Sequence, residues 1–392
     1  MSFLPRPSKA SAINAVYLVN LLISFHYFLV IYINSAFLSQ YIYQNTVSLL
    51  YIIGSILSVV LFIFFIDLIK KLGNYRLLLI FIFLEILSLL GLGFFNNSTG
   101  LMFSFILFLI VSPIIYLNLD VFLEGFTRDE SVTGTRRGVF LTMINIAQVM
   151  CPLIAGMLLA QNEYWRVYSI SIAFLLGAAL LTSLYLRHFK DPHYKYFTLQ
   201  QMAKELIKKP TLFNVFSAQF LLRFFYAWMV IYMPLYLFIT IGFSWPTIGA
   251  IFTIMLLPFL LLELPLGRLA DSWFSEKRML IVGFCIMALS VALIPFITIR
   301  SFPLWALLLC LTRIGASFTE VGTESYFFKH VDGAFADTIS FFRVARPATY
   351  VLSALVALAS TIFIPMRWDF LILSAIMLLG LYFASQLPQK TT

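Results

Sequence analysis

The sequence predicts an all-α integral membrane protein, with twelve transmembrane helices arranged as two pseudo-symmetric six-helix bundles. Three observations lead there. Of the 392 residues, 61% are apolar and only 11% are charged, with a mean hydropathy of +0.97; an ordinary soluble domain carries about a quarter charged residues. The apolar residues gather in runs that approach or exceed the ~20 residues needed to cross ~30 Å of hydrocarbon. The basic residues then segregate to one side of those runs.

Along the chain the runs fall near 12–35, 46–66, 77–95, 101–123, 138–160, 167–187, 212–239, 246–266, 279–299, 302–324, 340–362 and 368–387. Each is read as a helix, because hydrocarbon offers no partner to a free N–H or C=O and a lone segment must satisfy its own backbone. The segment Met1 to Ala10 carries Arg6 and Lys9. The run after it lacks a small-residue cleavage site, so it is expected to stay as a helix rather than leave as a signal peptide. Prolines at 113, 152, 234, 258, 265 and 347 interrupt spans and permit bends. Cys151, Cys285 and Cys310 all sit in apolar runs without metal spacing and read as buried small hydrophobes.

Orientation follows from the 26 Lys and Arg. With both termini in the cytoplasm, 21 fall on the cytoplasmic side, while Arg166, Arg300 and Arg367 alone fall outside and Arg223 and Arg313 lie within spans. That asymmetry is the positive-inside rule of a cytoplasmic (inner) membrane protein. It also explains the net charge of +9 without a nucleic-acid partner. The loop of residues 188–211 separates bundles at 1–187 and 212–392. Thr198 and Gln201 form a capping box ahead of Leu199, Met202, Ala203, Leu206 and Ile207 on one helical face, so the loop reads as an amphipathic surface helix or as a solvated linker.

A shift of about 200 residues overlays the halves. Asp120-x-x-x-Glu124 lands on Glu320-x-x-x-Glu324, the turn with Asp67, Lys70, Lys71 and Arg76 lands near Gly267, Asp271, Lys277 and Arg278, and His26 falls opposite Tyr226. Parallel repeats of six spans are an arrangement that transporters use.

On these features the chain resembles the major facilitator superfamily over its whole length. Gly267-Arg268-Leu269-Ala270-Asp271 followed by Lys277-Arg278 looks like the family's loop signature. The matching turn keeps Asp67, Gly73 and Arg76 but lacks the leading Gly. Arg137-Gly138 opens span five in the family's manner. Ala147-x-x-x-Cys151-Pro152-x-x-Ala155-Gly156 is similar to the motif of the drug antiporters, with Cys and Ala in place of key glycines. Ser112-Pro113 stand where those antiporters carry an intramembrane Arg. The resemblance implies a twelve-helix transporter, expected as a monomer, with a solute site near the midplane lined by spans including seven and ten.

Several residues are candidates for chemistry. An intramembrane arginine is expensive unless it meets water or a partner. Arg223 and Arg313 are therefore read as ligands for an anionic solute group, which guanidinium grips with two bonds, or as ion-pair and snorkelling residues. Asn20, His26, Gln219 and Tyr226 add polar lining. Glu85 and His26 are the candidate proton carriers. Asp120 and Glu124 are expected to pair with Arg136 and Arg137, and Glu320 and Glu324 with Arg343 and Arg346, as gates at cytoplasmic helix ends; Glu263 belongs to the same ring. Gly267, Arg268, Asp271, Lys277, Arg278, Asp67 and Arg76 form the loop motifs, with Asp favouring a helix N-terminus and the bases facing anionic lipid.

The leading function is secondary transport of a small solute by alternating access, with protons as a candidate coupling ion and no cofactor. No Gly-x-x-x-x-Gly-Lys-Ser/Thr occurs to support ATP hydrolysis. Proton-coupled drug efflux is the alternative. A membrane enzyme is the alternative of another class; it would need a catalytic His, carboxylate pair or metal cluster, whereas this chain has four His and no metal spacing.

Overall fold

The computed structural model describes residues 8–126, 130–191, 208, 210–271, 274–330, 336–361 and 363–388. Regular structure among them is helical, in twelve long helices. They are α1 (Lys9–Val30), α2 (Gln44–Leu72), α3 (Asn74–Phe94), α4 (Ser98–Phe126), α5 (Glu130–Leu158), α6 (Tyr164–Tyr185), α7 (Pro210–Leu235), α8 (Trp245–Asp271), α9 (Glu276–Leu293), α10 (Phe302–His330), α11 (Ala336–Ser360) and α12 (Asp369–Ser385). Eleven helical stretches among the described residues are long and apolar enough to cross a membrane; α11 takes the place of the eleventh expected run. The amphipathic helix expected over 198–207 lies outside the described residues.

Helix ends depart from the apolar runs for local reasons. At the start of α1, Ser8 Oγ accepts from the Ser11 N–H at 3.1 Å, capping a donor the first turn leaves free. The first run is broken after Val30 and resumes as a short helix, Asn34–Leu38. α2 runs past its apolar stretch to Lys70 and Lys71, which complement the negative end of the helix dipole. Gly73 stops it at φ 79°, a backbone setting that costs glycine little. In α7, Pro234 removes a backbone donor, and the chain continues as a five-residue π-helix, Tyr236–Thr240.

The chain divides into two compact units, Met1–Tyr43 with Ile53–Tyr196 and Gln44–Ile52 with Phe197–Thr392, so the start of α2 groups with the second. Inside the first, α1 packs against α4, α5 and α6, and α3 against α4 and α6. Inside the second, α7 packs against α10, α11 and α12, and α9 against α10 and α12. These are the same neighbours six helices on, so the internal repeat is a repeat of packing.

Small residues set the closest approaches. A Cβ on Gly283 of α9 would stand 2.6 Å from the Gly315 carbonyl of α10, and one on Gly315 would stand 2.7 Å from the Gly283 carbonyl. The two backbones touch through reciprocal glycines, as van der Waals packing between membrane helices favours. This contact fixes the height of α10, which carries Arg313 and Glu320.

Both units also tie the start of their third helix to the end of their sixth. In the first, Asp191 Oδ1, just beyond α6, accepts from the Asn74 N–H at 3.0 Å, placing a carboxylate at the N-terminus of α3. In the second, Lys277 Nζ, in the first turn of α9, donates to the Ser385 and Leu387 carbonyls at 2.6 and 2.8 Å. It satisfies acceptors that the end of α12 leaves free.

Candidate functional site

In the second unit, Gln219, Arg223 and Tyr226 recur at i, i+4 and i+7 on α7, and Arg313, Glu320 and Thr323 at i, i+7 and i+10 on α10. Helical spacing puts each set on one face, and the packing of α7 on α10 brings the faces together. Arg223 Nη2 donates to Glu320 Oε1 at 3.1 Å, and the Tyr226 hydroxyl donates to Glu320 Oε2 at 2.8 Å. With the Gln219 amide nitrogen directed at Thr323 Oγ1 (2.7 Å), its oxygen accepts from Arg223 Nη2 at 3.0 Å and Nε at 3.2 Å. The guanidinium of Arg223 is thus held by a carboxylate and an amide. This corner is partly open, with Arg223 29% and Glu320 17% exposed.

Arg313 stands seven residues before Glu320, about 10 Å along the helix axis, and is only 2% exposed. Its Cζ lies 5.3 Å from the ring centroid of Phe225, 5.1 Å from Tyr226 and 5.9 Å from Phe259 of α8. Three rings offset part of the cost of burying the charge, each such contact being worth roughly 0.5–2 kcal/mol. They consume no N–H donor. Nε and Nη2 of Arg313 have no hydrogen-bond partner among the described residues. Those two atoms carry the parallel N–H bonds of a guanidinium's side-on fork, which grips both oxygens of a carboxylate or two of a phosphate. In Arg223 the Gln219 oxygen fills that same fork. Together the charges of Arg223, Arg313 and Glu320 sum to plus one.

In the first unit, His26 of α1 and Glu85 of α3 meet, with side-chain exposures of 1% and 0% and Nε2 3.0 Å from Oε1. Ser112 of α4 also donates to Glu85 Oε1. His26 Nδ1 lies 2.7 Å from Ser171 Oγ of α6. Both ring nitrogens are therefore engaged inside the protein, so His26 belongs to a bonded network and has no nitrogen left for the solute contact expected of it. Asn20 donates from Nδ2 to the Phe140 carbonyl at 2.8 Å, while its Oδ1 is buried without a partner among the described residues.

Asp120 and Glu124 precede the end of α4, and Glu320 and Glu324 lie inside α10, which runs on to His330. Arg136 and Arg137 are well inside α5, and Arg343 and Arg346 inside α11. Arg136 Nη1 donates to the Phe126 carbonyl at the end of α4 at 2.8 Å. Glu320 pairs with Arg223 and Tyr226; the Arg343 side chain lies outside the described residues. Glu324 is exposed.

In the loop motif, Gly267 and the exposed Arg268 fall in the last turns of α8, and Asp271 ends it, with its side chain outside the described residues. The acid in the first turn of α9 is the buried Glu276, not Asp271. Arg278 and Arg76 are exposed near the starts of α9 and α3, and Asp67 lies within α2. The sequence did not single out Thr323, Phe225, Phe259 or Ser171. Thr323 and Phe225 carried a usable signal, lying within a turn of Glu320 and Arg223; Phe259 and Ser171 carried none.

Comparisons with known proteins agree with this architecture. The model of the Major Facilitator Superfamily matches residues 16–246 and 215–391. No curated protein sequence matches the chain. Among solved structures, the POT family transporter PepTSo is similar with a TM-score of 0.77 at 12% identity, covering 97% of this chain and 98% of its own. A peptide transporter POT in complex with sulfate is similar with a TM-score of 0.73 at 12% identity, covering 97% and 95%. The matched segments span nearly the whole sequence, and the chain belongs to the Major Facilitator Superfamily.

Proposed function

We propose that the protein is a secondary transporter that carries a small solute bearing an anionic group, and that Arg313 grips that group. The observation that carries this reading is the side-on fork of Arg313, buried and without a partner among the described residues. A buried guanidinium with unspent donors is costly, and a bound anion would remove that cost. Family membership supports alternating access between two six-helix halves. The basic residues orient both termini to the cytoplasm, and the membrane is a cytoplasmic one. Arg223 serves as a positioning residue, since Gln219 and Glu320 already hold it. A lipophilic cation suits this site poorly, because the aromatic rings that would receive it already surround a positive charge.

The test is uptake into proteoliposomes, with labelled benzoate, succinate and phosphate as anionic probes and tetraphenylphosphonium as the cationic one. Protein-dependent entry of at least one anion, and not of the cation, is expected. Entry of tetraphenylphosphonium alone would overturn the reading in favour of drug efflux.

A further inference from the structure

The buried group that this account leaves unused is the pair of His26 and Glu85. Its hydrogens can be counted. Ser171 Oγ donates to the His26 backbone carbonyl at 3.1 Å. Having spent its hydrogen, it accepts from Nδ1 at 2.7 Å, so Nδ1 carries a proton. Ser112 spends its hydrogen on Glu85 Oε1. One proton then lies between Nε2 and Oε1, 3.0 Å apart. On nitrogen it makes an imidazolium and a carboxylate; on oxygen, a neutral imidazole and a carboxylic acid. Both forms sum to zero charge.

Removing that proton would set two lone pairs face to face and strand a negative charge. Adding a second would strand a positive one, its obvious seat being Glu85 Oε2, which is buried without a partner among the described residues. Among the described residues, the groups that contact the pair carry no charge to compensate either state. On α4 the pair faces Ser112 and Phe108, with Tyr116 bonded to Ser24 at 3.5 Å. On α6 it faces Ser171, and Tyr168 is bonded to Asn34 at 2.9 Å. On α5 the nearest titratable group is Cys151, whose Sγ meets the Phe25 carbonyl at 3.5 Å. The other charged residues of α3 to α6, Arg76, Asp120, Glu124, Glu130, Arg136, Arg137 and Arg166, lie at least five residues along the chain from Glu85, Ser112, Cys151 and Ser171. Proton exchange therefore needs water, and water needs α1 to part from α3 and α6.

We propose that His26 and Glu85 form a proton-binding site holding one exchangeable proton, released only in conformations that open the junction of α1, α3 and α6. It would supply the coupling proton of the transporter proposed above. The first test assumes nothing about the solute: infrared difference spectra of the full protein between acid and alkaline pH, for wild type, Glu85→Gln and Ser171→Ala. Wild type is expected to show a titrating carboxyl band that Glu85→Gln lacks. Ser171→Ala, which frees the imidazole tautomer, is expected to keep the band and shift its midpoint. Should Glu85→Gln fail to fold, Ser171→Ala alone decides: a wild-type band with an unmoved midpoint contradicts the proposal. Superimposable wild-type and Glu85→Gln spectra also contradict it and leave the pair a plain structural bond. The second test is proton-gradient-driven uptake of labelled succinate and phosphate in proteoliposomes. Wild type is expected to accumulate the label, and Glu85→Gln only to exchange it. Equal accumulation by both overturns the coupling role. Absence of movement of every anionic probe in wild type, with the infrared band present, counts against the anion reading of the second unit and not against the proton site.

Discussion

Arg223 and Arg313 share a single ring: their guanidinium carbons lie 5.6 Å and 5.1 Å from the centroid of Tyr226. One of them is bonded to Glu320 and the other keeps Nε and Nη2 unpartnered among the described residues. The difference predicts opposite responses to the same substitution. Arg223→Gln strands the Glu320 carboxylate and is expected to lower stability by about 1–3 kcal/mol. Arg313→Gln removes a buried charge whose fork is unspent and is expected to leave the melting temperature unchanged or higher. Thermal unfolding in detergent checks both, and a large loss from Arg313→Gln would show that its partners lie within the protein.

Tyr226 contributes a ring to both cations and a hydroxyl to Glu320. Tyr226→Phe keeps the ring and loses a 2.8 Å bond to a charged acceptor, so a cost of about 1.5 kcal/mol is expected. Tyr226→Ala loses the ring as well and should cost more. Equal costs in unfolding experiments would mean the ring contacts contribute nothing.

The reciprocal contact of Gly283 and Gly315 leaves no room for a methyl group on either backbone. Gly315→Ala is expected to push α9 from α10 at a cost of about 1–3 kcal/mol, and Gly267→Ala, where an added Cβ meets nothing within 4 Å, to cost little. A melting-temperature comparison of the two separates packing from backbone propensity.

The two helix junctions give a local prediction. Asp191→Ala removes the acceptor of the Asn74 N–H, so hydrogen exchange should quicken at the first turn of α3. Lys277→Ala should quicken it at the end of α12, where the lysine holds two carbonyls. Unchanged exchange at either end would show that the junction is held by packing alone.

Twelve apolar runs and a 200-residue repeat were legible because the bilayer demands length and hydropathy, and both are one-dimensional. Helix ends were less so: α2 continues through Lys70 and Lys71, and α10 runs on past Glu324 to His330, since a helix tolerates charge once it leaves hydrocarbon. The sequence named His26, Glu85, Arg223 and Arg313 one by one, as costly polar groups in apolar surroundings, and Glu320 as a gating acid at a helix end. Their pairing was not legible. His26 and Glu85 are 59 residues apart and Arg223 and Glu320 are 97 apart, so each meeting depends on which helices pack and at what height. Nothing in the chain order points from Glu320 to Arg223, three spans back, as a partner.

The most direct measurement of the central claim is the melting temperature of purified wild type and Arg313→Gln against benzoate, succinate, phosphate and tetraphenylphosphonium. A ligand that binds only the folded state stabilises it by mass action, about 2.7 kcal/mol at a hundredfold excess over Kd. The account predicts that an anion raises the melting temperature of wild type and leaves Arg313→Gln unmoved. An equal response from the variant, or stabilisation by tetraphenylphosphonium alone, would contradict it.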